Sequence, residues 1–338
     1  MKPLVRSANG GKLRRVLTLV AKCILAVLLI VWLVRSGRLD LQDVSKALNR
    51  WPGLMIVAGL CYAGYFIAAT RWNILLAQQG IRASMRDVFA LSMIGAFFNS
   101  AIPGTVSGDI VKAYYISVRC PENRSQAVTT ILLDRIAGLT SLLLLAAVAG
   151  IWNFASIAQH GTVTVLYWTV VLAALTAVTL PLAAMMSGRM ITIADTLAQR
   201  FPVSNPVVQA VRATATFYRN PRTLALALAT SLVAQIGTCF AFYVLGVSIG
   251  AQSIELSRLM FIVPLGLTTM ALPIAPVGLG VGQVAFHFLF SELLPGMGPT
   301  GASMVTIYQA VYIFVSLTGM VFYFRETATR KAGVLTDR

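Results

Sequence analysis

The segment from Leu259 to Leu294 is almost wholly apolar, yet Pro273, Pro276, Gly278, Gly280 and Gly282 interrupt it midway. A lipid-facing helix does not tolerate such a break, because every backbone N–H or C=O freed in hydrocarbon carries a large desolvation cost. Broken backbone persists at membrane depth where it packs inside protein or lines a wet cavity. Discontinuous helices of this kind frame the binding sites of transporters. An intramembrane hairpin is therefore expected here, with polar side chains gathered near its tip.

The rest of the chain supplies the setting. Of its 338 residues, 57% are hydrophobic and 11% charged, against roughly a quarter charged in soluble domains. The chain reads as one integral membrane domain over residues 1–338, with no stretch long enough for a separate soluble catalytic fold. The net charge of +16 raises nucleic acid as a partner. However, the basic residues sit in loops between apolar spans without interleaved aromatics, so the positive-inside rule explains them and nucleic-acid binding is set aside. Cys23, Cys61, Cys120 and Cys239 are scattered, without ligand-like spacing. They read as small buried hydrophobes, and no metal or cofactor is expected.

Full spans are expected at Val16–Val34, Trp51–Thr70, Gln126–Ile151, Val163–Met185, Thr223–Val247 and Ala302–Phe324, each near the roughly 20 residues a bilayer requires. The first reads as an uncleaved helix, since Leu17–Val34 lacks a small-residue cleavage site. Twenty Lys and Arg residues fall before Val16 and within Arg71–Arg86, Lys112–Arg124, Arg189–Arg222 and Arg325–Arg338. Trp152–Thr162 and Pro295–Gly301 carry none. Both termini are then expected in the cytoplasm. Gly37–Arg50, with Leu41, Val44 and Leu48 on one side, suits an amphipathic helix at the outer interface.

That topology requires Val88–Val118 to enter and leave on the cytoplasmic side, and Leu259–Leu294 on the other. The tips AIPGTVSGD and ALPIAPVGL share Ala, an aliphatic residue, Pro, four residues and Gly, with Pro103 and Pro273 at matching places. The fold class expected is all-α and polytopic: about six full spans plus two re-entrant hairpins in an inverted repeat. Residues 16–151 and 163–324 form the two halves, and residues 186–222 a cytoplasmic amphipathic connector.

Candidate site residues cluster around the hairpins. Pro103 and Gly104 break the first, and a helix is expected to start near Ser107 or Gly108 with its N-terminus toward the membrane interior. Such an end favours an anion such as phosphate. Asp109 suits either a cap or the site, and Lys112 either a head-group contact or snorkelling. Asp134 and Arg135 lie inside the next span, where ionisable groups face partners or a cavity. Being adjacent they need separate partners, for example the opposite hairpin or Arg71 for one and a phosphate for Arg135. Arg71 itself suits an interface anchor beside Trp72 equally well. Gln283 and His287 share a face of the second returning helix, either as polar contacts or as packing groups. Gln235 and Gln309 read as interhelical glue or further contacts.

The ordered motifs RWNILL, FFNSAIPGTVSGDIVKAYYI, LLDRIAGL and LPIAPVGLGVGQ resemble the flippase-like transmembrane domain of lysylphosphatidylglycerol synthases. The resemblance runs from about Val16 to Phe324. It implies a domain that moves a lipid with a charged head group between leaflets. Arg71, Asn99, Pro103, Gly108, Asp109, Asp134, Arg135, Pro273, Gly278 and Gly280 occupy its motif positions. Where the family's second hairpin commonly ends in an Arg–Glu pair, this chain has Gly282 and Gln283. The synthases' aminoacyl-transferring domain has no counterpart here, so lysyl-lipid synthesis is not expected.

The function expected is a non-enzymatic lipid flippase for a phospholipid, a polyprenyl-phosphate carrier or a hopanoid-type lipid. Alternatives are an intramembrane transferase and a non-transporting partner of a lipid-modifying enzyme. Expected partners are the lipid, anionic head groups at the cytoplasmic face, and either a second copy or a lipid-synthesis enzyme.

Overall fold

A computed structural model describes residues 41–101, 107–188, 205–251, 253–271 and 279–336, together with positions 35, 192, 195 and 196. The expected first span at Val16–Val34, the breaks at Pro103, Gly104, Pro273, Pro276 and Gly278, and most of Ile191–Phe201 lie outside them. Among the described residues the regular secondary structure is all helix, with no strand.

Helix α1 (Leu41–Asn49) is followed by the long α2 (Trp51–Gln78), the pair α3 (Met85–Ala101) and α4 (Ser107–Arg119), and the long α5 (Arg124–Trp152). After α6 (Phe154–Ile157) and α7 (Gly161–Met186) comes the amphipathic α8 (Asn205–Arg219). A second series follows: α9 (Pro221–Ile249), α10 (Leu256–Ala271), α11 (Val281–Leu293), α12 (Gly298–Leu317) and α13 (Gly319–Thr336). Five stretches among the described residues are long and apolar enough to cross a membrane: Trp51–Gln78, Arg124–Trp152, Gly161–Ala184, Pro221–Ile249 and Gly298–Thr327. They match five of the expected spans, with ends as long or longer except at Ala184. The largest extension is in α2, which continues eight residues past Thr70, so Arg71 lies inside the helix and not at its end. Trp72, Leu75 and Leu76 on that extension are buried, which is what carries the helix onward.

Helices α2 and α9 pack along their lengths and run antiparallel. Arg50, before α2, donates to the Val247 carbonyl near the end of α9 at 3.0 Å, while Arg71 reaches Ser231 in its first half at 2.8 Å. At one end of the bundle Arg119 pairs with Asp87 (3.4 Å) and Glu326 (2.6 Å), joining α3, α4 and α13. At the other, Asn153 Nδ2 donates to the Ser257 carbonyl and Arg258 Nη1 to the Leu293 carbonyl. The α3–α4 hairpin thus opens at one end, and the α10–α11 hairpin at the opposite end.

Neighbour relations repeat between the two series. Helix α2 packs on α3, α3 on α4 and α4 on α5, as α9 packs on α10, α10 on α11 and α11 on α12. Across the middle, α5 meets α9 and α10, while α12 meets α2 and α3. Helix α8 covers α5 and α7, burying Phe217 and Tyr218 beside Leu133 and Ala137. The outward face of α7 leaves Val165, Trp168, Leu172 and Leu180 exposed, as a lipid-facing span does.

Candidate functional site

Helix α5 starts at Arg124, so Asp134 lies about 15 Å of helix rise inside it. At that depth a charge persists only with a partner. Adjacent helical residues point about 100° apart, and the fold uses both directions. Asp134 Oδ1 accepts from Arg71 Nε on α2 at 2.7 Å. Arg135 Nε pairs with Asp109 Oδ2 on α4. Arg71 also donates through Nη1 to Ser231 Oγ, so one guanidinium ties α2, α5 and α9. Next to it, Trp72 Nε1 donates to Thr130 Oγ1 at 2.9 Å, one turn before Asp134.

Lys112 completes the cluster. It is 9% exposed, with Nζ 4.0 Å from the centre of the Trp72 ring, and it lies within the field of Asp134, Asp109, Arg71 and Arg135. Three cations thus face two carboxylates, and both carboxylates are engaged by arginines. Arg135 therefore meets Asp109, where a phosphate had been the expected partner.

The start of α4 is closed by a side chain. Asn99 Oδ1 accepts from the Gly108 N–H at 2.8 Å, and Ser107 Oγ donates to the Phe98 carbonyl at 2.9 Å. The Gly108 N–H is therefore not open to an anion. A Cβ at Gly108 would stand 1.9 Å from the Gly95 carbonyl oxygen, which is why glycine allows α3 and α4 to close at this point.

The second hairpin is capped in a comparable way. Gln283, fully buried, accepts from the Gly280 N–H at 2.6 Å and donates to Gln309 Oε1 on α12 at 2.7 Å. Gly280 has φ of 81°, a left-handed conformation that glycine adopts without strain. A Cβ at Gly282 would stand 2.9 Å from the Met270 sulfur, so that glycine seats α11 on α10. His287 lies farther along α11, against Ser291 and Gly298, away from the central cluster.

Between the hairpins is a cavity of about 420 Å³, within the range of ligand pockets. Its wall draws on both series: Arg71 from α2, Asn99 from α3, Gly138 from α5, Gln235 from α9, Met270 from α10 and Gln309 from α12 are among its residues. Both hairpin ends reach it, Asn99 and Ser100 from one side and Met270 and Ala271 from the other. Ser316 on α12 donates to Ser100 at 2.8 Å, holding the first of these ends.

The structure thus brings Arg71, Asn99, Gly108, Asp109, Lys112, Asp134 and Arg135 into one region, with Arg71 and Asn99 on the cavity wall. Gln283 reaches that wall only through Gln309, and His287 does not line it. Sequence reasoning missed Ser231, Thr130 and the wall tyrosines Tyr65, Tyr308 and Tyr312, and it named Trp72 only as an interface neighbour of Arg71. A usable signal did exist on α2. Leu60, Gly64, Ala68 and Arg71 recur at helical spacing, a largely small-residue row that ends in a charge.

No curated protein and no solved structure shows a significant match to this chain. The family profile described as the lysylphosphatidylglycerol synthase TM region matches residues 19–319. Together with the all-helical, hairpin-bearing bundle, that match over most of the chain places this protein in the lysylphosphatidylglycerol synthase TM-region family.

Proposed function

We propose that the chain is a lipid flippase of the cell inner membrane, working without covalent chemistry. The head group is carried through the central cavity while the acyl chains stay in the bilayer. The observation that carries this reading is the cavity itself: two hairpins entering from opposite ends reach one chamber, beside a buried cluster with one cation in excess. The matching neighbour relations of the two helix series support an inverted repeat, the architecture in which rocking one half against the other alternates access. The end bearing Arg82, Arg86, Arg119, Arg124 and Arg325 is assigned to the cytoplasm on the positive-inside rule. Both Asp109 and Asp134 are held by arginines, an arrangement that favours transport over a transferase needing a free carboxylate base. A second copy or a lipid-synthesis enzyme remains the proposed protein partner.

The test is reconstitution into liposomes with head-group-labelled lipids. The native chain is expected to accelerate their movement between leaflets. Asp134→Asn and Arg135→Ala are each expected to slow it at least about tenfold, equivalent to ~1.4 kcal/mol of lost interaction. Folded variants that move lipid at the native rate would remove the charged cluster from the mechanism.

A further inference from the structure

Resting on that transport reading, we infer that the cavity selects a lipid whose head group joins one phosphate to a neutral, hydroxyl-rich portion, and that it rejects cationic head groups. The charge on the wall decides the first half. Arg71 is the one charged residue lining the cavity among the described residues. Its Nε and Nη1 are committed to Asp134 and Ser231, while Nη2 donates to no described residue. Nη2 thus remains as a charged donor for one anionic group such as a phosphate oxygen.

The rest of the polar wall is neutral. Gln235 presents an amide and Thr238 a hydroxyl that already donates to the Ala234 carbonyl, groups that hydrogen-bond polyols without favouring either charge, while the Gln309 amide is engaged by Gln283 and Met270. The tyrosines do not form an open cage for a cation. Tyr312 packs against Tyr65 (5.2 Å between ring centres) and Tyr308 (6.1 Å), and Tyr308 also against Phe242 (4.8 Å). Rings tilted by 30–36° against one another spend part of their surface on ring–ring contacts, where a cage for an ammonium needs open faces.

The acidic inventory decides the second half. Among the eleven Asp and Glu residues of the chain, Asp109 and Asp134 are the two within the inner part of the hairpins and spans. Both are paired with arginines, and neither lines the cavity. The two tip segments, residues 102–106 and 272–278, contain no ionisable residue in their sequence. A lysyl or other ammonium head group would therefore enter a chamber whose described wall carries a cation and no carboxylate to receive it, a like-charge arrangement that disfavours binding strongly.

The test compares four labelled lipids in the same liposomes: phosphatidylglycerol, a sugar-phosphoryl polyprenol, phosphatidylethanolamine and lysyl-phosphatidylglycerol. The first two share the predicted chemistry, and their relative rates distinguish the two sources. The better of them is expected to move at least about tenfold faster than lysyl-phosphatidylglycerol. Gln235→Glu places a carboxylate on the wall at nearly constant volume, and is expected to narrow that ratio to about threefold or less. Short-chain water-soluble forms of the same lipids are tested in parallel for thermal stabilisation of the detergent-solubilised chain, with the same order expected.

If lysyl-phosphatidylglycerol moves or stabilises as well as the best anionic lipid, the selectivity inference fails while the transport reading stands. Movement of none of the four overturns the transport reading, and the stabilisation order then decides head-group selectivity alone. A Gln235→Glu chain with an unchanged ratio would overturn the assignment of this wall as the selective element.

Discussion

Arg71→Ala is expected to lower the unfolding free energy by about 3–5 kcal/mol, the usual cost of breaking a buried ion pair from one side. The reason lies in what remains. Asp134 is 8% exposed and deep within α5, and without Arg71 its charge has lost its 2.7 Å partner. Ser231 loses its donor as well, so α9 is released from α2 at the same point. The comparison that isolates the pair is the double variant Arg71→Met with Asp134→Leu, which removes both charges and keeps the volume. It is expected to recover at least half of the loss, because no uncompensated charge is left in the bundle. Unfolding in mixed detergent micelles measures both. A loss below about 1 kcal/mol for Arg71→Ala would mean that water or lipid already screens Asp134.

Gly64→Trp should affect transport and leave stability alone. A Cβ at Gly64 meets nothing within 4 Å, and the residue lines the cavity. An indole there occupies the chamber without displacing a neighbouring helix. Lipid movement is expected to fall at least about tenfold, while the unfolding free energy stays within about 0.5 kcal/mol of native, as substitutions away from packed features do. Gly59→Trp is the matched control. Its Cβ also meets nothing within 4 Å, but the residue is exposed and does not line the cavity, so transport should be unchanged.

Much of the fold was legible because the bilayer restricts the choices. Apolar lengths gave five of the six expected spans to within a few residues at most ends, and the sixth lies outside the described residues. The Pro and Gly breaks located both hairpins, since nothing else explains interrupted backbone in hydrocarbon. The end of α2 was misplaced because a charge normally marks an interface. Arg71 instead stays buried, its cost offset by Asp134 and Ser231 on two other helices. No local pattern encodes such partners.

The site was legible in part for the same reason. Asp134 and Arg135 stood out as ionisable groups at depth, yet the Asp109 partner of Arg135 comes from the first hairpin and is set by packing. Asn99 matched the family motif, but its role in capping Gly108 depends on the hairpin closing. Gln283 and His287 share a helix face by spacing, and the fold gives them different surroundings. One is locked to Gly280 and Gln309, the other lies beside Ser291 and Gly298. The cavity wall itself was not legible, because its residues come from six helices and meet only in three dimensions.

Photo-cross-linking tests the central idea most directly: that a lipid head group occupies the chamber where the two hairpins converge. A phospholipid with a photoreactive group in its head is irradiated with the reconstituted chain, and the modified peptides are mapped. The predicted attachments fall on the chamber's walls in Leu60–Arg71, Ala234–Ala241 and Tyr308–Tyr312, and they diminish in Gly64→Trp. Attachment confined to outward residues such as Val165, Leu172 and Phe314, indifferent to that substitution, would contradict the account.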